Sequence, residues 1–364
     1  MRRVFSLLLV LSISVFLFAQ GSSEQDLKTR VIVDVTGREV EIPEVVRTIC
    51  ALGSGAPRIC AYLDSMDMLV GIEKHDKDGI DILRDYSPVY YEYYRDLPIV
   101  GNGGGSGGNN GFPEELIVAS PDVILAGFDR EAADELQKQT GIPVVSVRYL
   151  SRGFFHESFY NAVNVFASVV GKEDRAKEVL AFIDGCISDL DSRTKDVPEE
   201  NKLKAYSGAI TFSGRHGFSG TYSNFGPFDA VNAINVADVD ANTNYYEADL
   251  EKILEWDPDV IFLDPGNMNL VEDEIKKKPD YFASVRAIEE GNVYTLPSFN
   301  NCGTNISYAL LDAYYAGKVL FPEQFADIEI EEIGKKIFET MLGQDIYSDM
   351  RDAGLYYGEI IIDL

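Results

Sequence analysis

A helix-to-strand unit that occurs twice constrains this chain more than any other feature. The first copy reads Glu114-Glu115-Leu116-Ile117-Val118-Ala119-Ser120-Pro121-Asp122-Val123-Ile124-Leu125, and the second Glu251-Lys252-Ile253-Leu254-Glu255-Trp256-Asp257-Pro258-Asp259-Val260-Ile261-Phe262. Each begins with Glu, runs through a short apolar helical pattern, stops at Pro-Asp and enters an apolar run. Proline cannot continue the helix, and an unbroken apolar run suits a strand covered on both faces. Each copy is therefore a helix-turn-strand piece of an α/β sheet. The copies lie 251 − 114 = 137 residues apart, which predicts two similar lobes, and a chain of 364 residues has room for two domains of ordinary size.

The start of the chain is set apart from both lobes. Arg2 and Arg3 precede an apolar run from Val4 to Phe18, followed by Ala19-Gln20-Gly21. A basic start, an apolar segment and a small residue at the cut make residues 1–19 a secretory signal, with a retained N-terminal anchor as the alternative. The formal charge of −28 becomes −30 once Arg2 and Arg3 leave with the signal. A field of that sign repels phosphate backbones, so nucleic acid is a poor partner. Cys50, Cys60, Cys186 and Cys302 show no metal-type spacing. In an exported protein Cys50 and Cys60 are either a disulfide or two core thiols. The three histidines, His75, His156 and His216, are too few and too scattered for a zinc or manganese cage.

Taken in order, Val31 to Ile42 reads as a small hairpin around Thr36-Gly37. Val46 to Leu52 is the next strand, ending in Gly53-Ser54-Gly55 before a short helix, and Leu69 to Ile72 is another strand. Between Glu73 and Leu97 lie Tyr86, Tyr90, Tyr91, Tyr93 and Tyr94, which either line a ligand surface or fold over the core. Gly101 to Gly111 is glycine-rich but lacks the Lys-Ser/Thr of a P-loop. Strands and helices then alternate to Val147, the rhythm of a mainly parallel sheet. Phe159 to Val170 and Ala176 to Leu190 carry apolar residues at helical spacing on either side of Gly171, long enough to cross between two lobes at ~1.5 Å per residue. The α/β rhythm resumes at Leu203 and ends in the helix Ile306 to Leu320 and acidic helices. The expected division is a first lobe over residues 28–154, linking helices over 155–197 and a second lobe over 198–364.

Several pieces in this order resemble the periplasmic substrate-binding proteins of ABC importers for ferric siderophores, haem and cobalamin. They are Asp34-Val35-Thr36-Gly37-Arg38-Glu39-Val40-Glu41-Ile42-Pro43 with Arg47-Thr48-Ile49, both Glu…Pro-Asp units and Gly171-Lys172-Glu173-Asp174-Arg175-Ala176. Ala287-Ile288, Gly291-Asn292-Val293-Tyr294 and Leu320-Phe321-Pro322-Glu323 complete the set. The resemblance implies two similar three-layer α/β lobes with mainly parallel sheets, joined by a single long α-helix, the class III periplasmic-binding-protein fold. It implies a monomer that holds a metal chelate in the interlobe cleft, has no cofactor of its own, and meets a membrane permease. Glu114 and Glu251, seven residues before each Pro-Asp proline, match the acidic residues that pair with permease arginines in that family. The other reading of both is a helix-start glutamate favouring the helix dipole.

Loops at the carboxyl ends of parallel strands are expected to face each other across the cleft. In the first lobe these offer Ser54, His75, Tyr91, Phe128, Arg148 and Tyr149. The second offers Arg215, His216, Tyr222, Tyr245, Asn267, Asn300 and Asn301. Arginine suits carboxylates or catecholates of a chelate, and tyrosine suits stacking or iron ligation. A chelatase-like enzyme on the same scaffold needs a metal constellation or a titratable pair that three scattered histidines do not supply. A periplasmic sensor or adhesion module predicts no permease docking.

Overall fold

The computed structural model describes residues 28–104, 111–149, 157–238 and 244–362. The expected signal (residues 1–19), most of the glycine-rich segment and His156 lie outside them.

The chain opens with a hairpin of β1 (Thr29–Val33) and β2 (Glu39–Pro43), closed by Asp34, whose Oδ1 accepts from the Thr36 and Arg38 backbone N–H groups at 2.9 and 3.0 Å. Val31 and Val33 face solvent, while Ile32 packs against the core. Arg30 shares the inward face, where Nη2 donates to the carbonyls of Ser168 and Val169 at 2.8 and 3.1 Å, in the last turn of the helix Glu157–Val170. A cation on those otherwise unpaired carbonyls sets the phase of the strand.

The first lobe is built on β3 (Ile49–Leu52), β4 (Leu69–Glu73), β5 (Ile99–Gly101), β6 (Val123–Ala126) and β7 (Val144–Ser146), all parallel, in the order β5-β4-β3-β6-β7. The second contributes β8 (Lys204–Gly208), β9 (Gly220–Tyr222), β10 (Ile234–Asn235), β11 (Tyr245–Glu247), β12 (Val260–Leu263) and β13 (Val293–Thr295). Of these, β10-β8-β12-β13 form a second parallel sheet, and β9 and β11 pair as an antiparallel hairpin. In each sheet the order reverses beside the first strand of the lobe, between β3 and β6 and between β8 and β12. That is the switch point outside which open α/β sheets bind ligands.

The sequence repeat is a structural repeat. Helices Pro113–Ala119 and Leu250–Trp256 each have seven residues and end on left-handed residues before proline, Ser120 (φ 50°) and Asp257 (φ 47°). The aspartate after each proline then pins the neighbouring strand. Asp122 Oδ2 accepts from the N–H of Arg47 and Thr48 at 2.7 and 3.0 Å, and Asp259 Oδ2 from that of Lys204 at 2.8 Å. Pro-Asp is therefore a helix stop and a strand anchor in one dipeptide.

The linking region is two helices rather than one continuous run, Glu157–Val170 and Glu173–Thr194, broken at Gly171 (φ 71°). The second, ~33 Å long at ~1.5 Å per residue, makes the crossing. Near its start Arg175 donates to the Tyr62 carbonyl, and near its end Asp191 and Thr194 accept from Asn232. The C-terminal helices reach beyond the second lobe. The carbonyls of Thr340 and Leu342 accept from Arg175 and Tyr90, and one apolar core runs through both lobes and the helix Ile306–Leu320. That helix is buried on nearly every side and needs neighbours all round. Cys50 and Cys60 are free and fully buried, with thiols pushed up to about 12 by burial. They are core thiols, not a disulfide.

Candidate functional site

A cleft of about 490 Å³ opens between the carboxyl ends of the two parallel sheets. Ser54, His75 and Tyr149 line it from the first lobe, on the segments that leave β3, β4 and β7. Thr211 to Gly214 line it after β8, and Asn300 to Gly303 after β13.

Two of these side chains present buried polar atoms, His75 Nε2 and the Tyr149 hydroxyl, for which no geometrically sound hydrogen bond is made among the described residues, although Arg58 lies beside the hydroxyl. His75 is fixed through its backbone, where its N–H donates to the Asn102 carbonyl at 3.0 Å and its own carbonyl accepts from Arg84 at 2.9 Å. The Tyr149 ring wedges between two left-handed glycines. A Cβ on Gly55 (φ 87°) would lie 2.4 Å from Tyr149 Cε1, and one on Gly303 (φ 93°) 2.9 Å from its hydroxyl. Phe159 meets the ring edge-on at 5.2 Å. Burial pushes the phenol upward, partly offset by Arg58, so it stays protonated and ready to donate. A buried polar atom without a partner costs free energy, and a cargo that supplies one recovers it.

Arg58 lies behind the lining and holds two of its carbonyls, although nothing in its surroundings marks it in the sequence. Fully buried in the helix Ala56–Tyr62, it pairs with Asp85 at 2.9 Å. Its other N–H groups reach the carbonyls of Cys302 and Asn301 at 3.0 and 2.9 Å and Asn305 Oδ1 at 2.7 Å. Asp85 also accepts from Ser307 at 2.7 Å and from Tyr62. One first-lobe cation thus shapes the cleft segment that the second lobe supplies. Beside it, burial pushes Glu73 up to about 8, against the N–H of Gly53 donating to its Oε1 at 3.0 Å.

Five expected contact residues line the cleft: Ser54, His75, Tyr149, Asn300 and Asn301. The others face elsewhere. Tyr91 is half-buried, its hydroxyl toward the Lys77 carbonyl at 3.4 Å, in a helix (Ser87–Tyr94) whose preceding residue Tyr86 and last residue Tyr94 are core. Phe128 is fully buried beneath Gly53, where a Cβ would meet it at 2.9 Å. Arg148 is exposed and lies 3.9 Å from Asp129. Arg215 does not line the cavity and ties its loop to the segment after β12, with Nε donating to Asn267 Oδ1 at 2.7 Å. Asn267 is buried and in turn donates to the Ala209 carbonyl at 2.6 Å.

His216, Tyr222 and Tyr245 surround Phe212, the aromatic residue that does line the cleft. His216 Nε2 is 2.9 Å from the Phe212 carbonyl and Nδ1 2.9 Å from Glu247. Tyr245 stacks on Phe212 at 5.3 Å, and Tyr222 meets it edge-on at 5.8 Å. Phe212 was legible only as one of several aromatics in a loop.

Glu114 and Glu251 occupy equivalent positions, the second residue of their helices, and both are exposed. Each helix runs back against the strand that follows it. Its N-terminus therefore lies at the same edge of the sheet as the cleft, as the bond from Phe112 N–H to the Val100 carbonyl (2.8 Å) in β5 shows for the first lobe.

The model of the family described as periplasmic binding protein matches residues 63–299 of this chain. A Fe(3+)-citrate-binding protein of Bacillus subtilis (strain 168), YfmC, is 25% identical over 189 residues, 51% of this chain and 58% of that relative, so the match spans less than two thirds of its length. The fold is that of a periplasmic solute binding protein from Veillonella parvula DSM 2008 (TM-score 0.68, 18% identity, 90% of this chain and 97% of that one). It is also that of MolA, the molybdate periplasmic binding protein of a Haemophilus influenzae ABC transporter (TM-score 0.64, 19% identity, 87% and 98%). CeuE of Helicobacter pylori with Ni(II) bound shares it as well (TM-score 0.61, 20% identity, 86% and 96%).

Proposed function

Because the chain belongs to the periplasmic binding protein family, we propose that it captures an iron chelate, such as a ferric siderophore, or a related chelate such as haem or a corrinoid, for an ABC importer. The observation that carries this reading is the cleft itself. It is lined from both lobes and holds two buried polar atoms, His75 Nε2 and the Tyr149 hydroxyl, the first without a hydrogen-bond partner among the described residues and the second with only the Arg58 guanidinium beside it. Capture is non-covalent, and the cargo stabilises whichever lobe arrangement it contacts best. The protein is exported and acts as a monomer without a cofactor of its own; no helix among the described residues is long and apolar enough to cross a membrane. It docks on the permease through Glu114 and Glu251, two carboxylates at the cleft edge of equivalent helices, each suited to a charge-assisted bond with a basic side chain.

A chelatase-like reading needs a metal constellation, and among the described residues no group of three or more His, Cys, Asp or Glu is placed to hold an ion. Native mass spectrometry of protein purified from its own host, followed by thermal-shift measurements with ferric siderophores, haem and corrinoids, tests the cargo. A co-purifying chelate that raises Tm supports the reading; turnover of a chelate without any rise in Tm overturns it. Charge reversal of Glu114 and Glu251 together tests docking, with loss of permease-dependent uptake and retained cargo binding as the expected result.

A further inference from the structure

The tip helices that carry Glu114 and Glu251 are equivalent in backbone but not in surface. An offset of 137 residues pairs Glu114 with Glu251, Glu115 with Lys252, Leu116 with Ile253, Ile117 with Leu254 and Val118 with Glu255. Leu116 and Ile253 are fully buried and hold the two helices in the same setting. On a helix, Ile117 and Val118 share the face of Glu114, three and four positions on. There Val118 is 86% and Ile117 51% exposed. In the second lobe the same face carries Leu254, folded against the core, and Glu255, paired with Lys252 at 2.5 Å. Net charge does not separate the tips, since Glu114 and Glu115 sum to −2 and so do Asp249, Glu251, Lys252 and Glu255; the difference lies in the apolar surface. The second tip shows that this fold does not require an apolar side chain at the Val118 position, where it carries Glu255.

We propose that the two tips dock unequally. The first inserts Val118 and Ile117 into an apolar recess of the permease rimmed by basic side chains, and the second makes polar contacts only. Such a difference gives a two-lobed body one preferred orientation on its partner, with charge steering the encounter and apolar burial at one end fixing it. The inference rests on the docking reading above and adds a contact that two glutamates alone do not supply.

The test measures binding of the cargo-loaded protein to the host permease–ATPase complex whose ATPase activity it stimulates, held in lipid nanodiscs, at low and physiological salt. Val118→Ser is expected to weaken binding about tenfold, from the loss of one buried aliphatic side chain, with the salt dependence unchanged. Val118→Leu is expected to retain affinity, and Glu255→Ser to stay within about twofold because a surface ion pair contributes little. Both positions are exposed, so folding is not at risk. Val118→Ser binding like wild type, or Glu255→Ser costing as much as Val118→Ser, overturns the inference. Glu114→Arg separates it from the docking reading. If that change is silent while Val118→Ser weakens binding, acidic docking at that tip is wrong and the apolar contact stands; if both are silent, both fall.

Discussion

Glu73→Gln isolates one buried carboxyl beside the cleft. Glu73 is 2% exposed and ends β4, two residues before His75. Burial raises its pKa from 4.5 to about 8, despite the N–H of Gly53 on Oε1 and with a smaller upward push from Asp76. In the pH interval between the two values the folded protein holds a proton that the unfolded chain has released. Stability from this group is therefore fully present below pH 4.5 and is lost as pH rises toward 8. The interval of 8 − 4.5 = 3.5 pH units corresponds to about 5 kcal/mol in all at ~1.36 kcal/mol per unit, and to about 2.5 kcal/mol between pH ~5.5 and ~7.5. Glutamine keeps the acceptor for Gly53 and removes the titration. Urea unfolding of both proteins at pH 5.5, 6.5 and 7.5 is the assay. The variant's advantage should grow by about 2.5 kcal/mol across that range, since buried acids elsewhere, such as Asp264 and Asp312, titrate alike in both proteins. An advantage that stays constant from pH 5.5 to 7.5 refutes the reasoning and means that Glu73 is charged in the folded state.

Three further outcomes follow from the cleft. Tyr149→Phe removes a hydroxyl that makes no sound hydrogen bond among the described residues, with only Arg58 beside it; Tm without cargo should hold or rise slightly, while cargo affinity falls about tenfold, by titration calorimetry. Arg58→Met strands the buried carboxylate of Asp85 and the carbonyls of Asn301 and Cys302, and should cost about 3–5 kcal/mol in denaturant unfolding. Gly303→Ala puts a methyl group 2.9 Å from the Tyr149 hydroxyl at φ 93°; it should destabilise by about 1–3 kcal/mol and weaken cargo binding more than Ser54→Ala does.

The parts of the cleft legible in the sequence are those fixed by strand ends. Ser54, His75 and Tyr149 follow β3, β4 and β7, and parallel strands deliver their carboxyl ends to one edge. Loops carry no period, so the direction of a loop side chain is not encoded locally. Arg215 and His216 sit in the expected loop yet turn to neighbouring elements, because Asn267 after β12 and Glu247 in β11 offer partners there. The tyrosines after Glu73 form a helix whose packing absorbs Tyr86 and Tyr94, and Phe128 is drawn under Gly53 because only a glycine leaves space for its ring. Arg58 was hidden for the opposite reason: its partners Asp85 and Asn305 lie 27 and 247 residues away.

By itself, the sequence determined that the chain has two α/β lobes, that each repeats a seven-residue helix stopped at Pro-Asp, and that a glutamate stands at an equivalent exposed place in both. These follow from periodicity and from proline's missing donor, which act within a few residues. Tertiary structure alone decided which side chains face the cleft and that the C-terminal helices pack across both lobes. It also decided that Val118 stays open to solvent while its counterpart Glu255 pairs with Lys252. Burying a charge or exposing an apolar side chain depends on partners brought together only when the whole chain has packed.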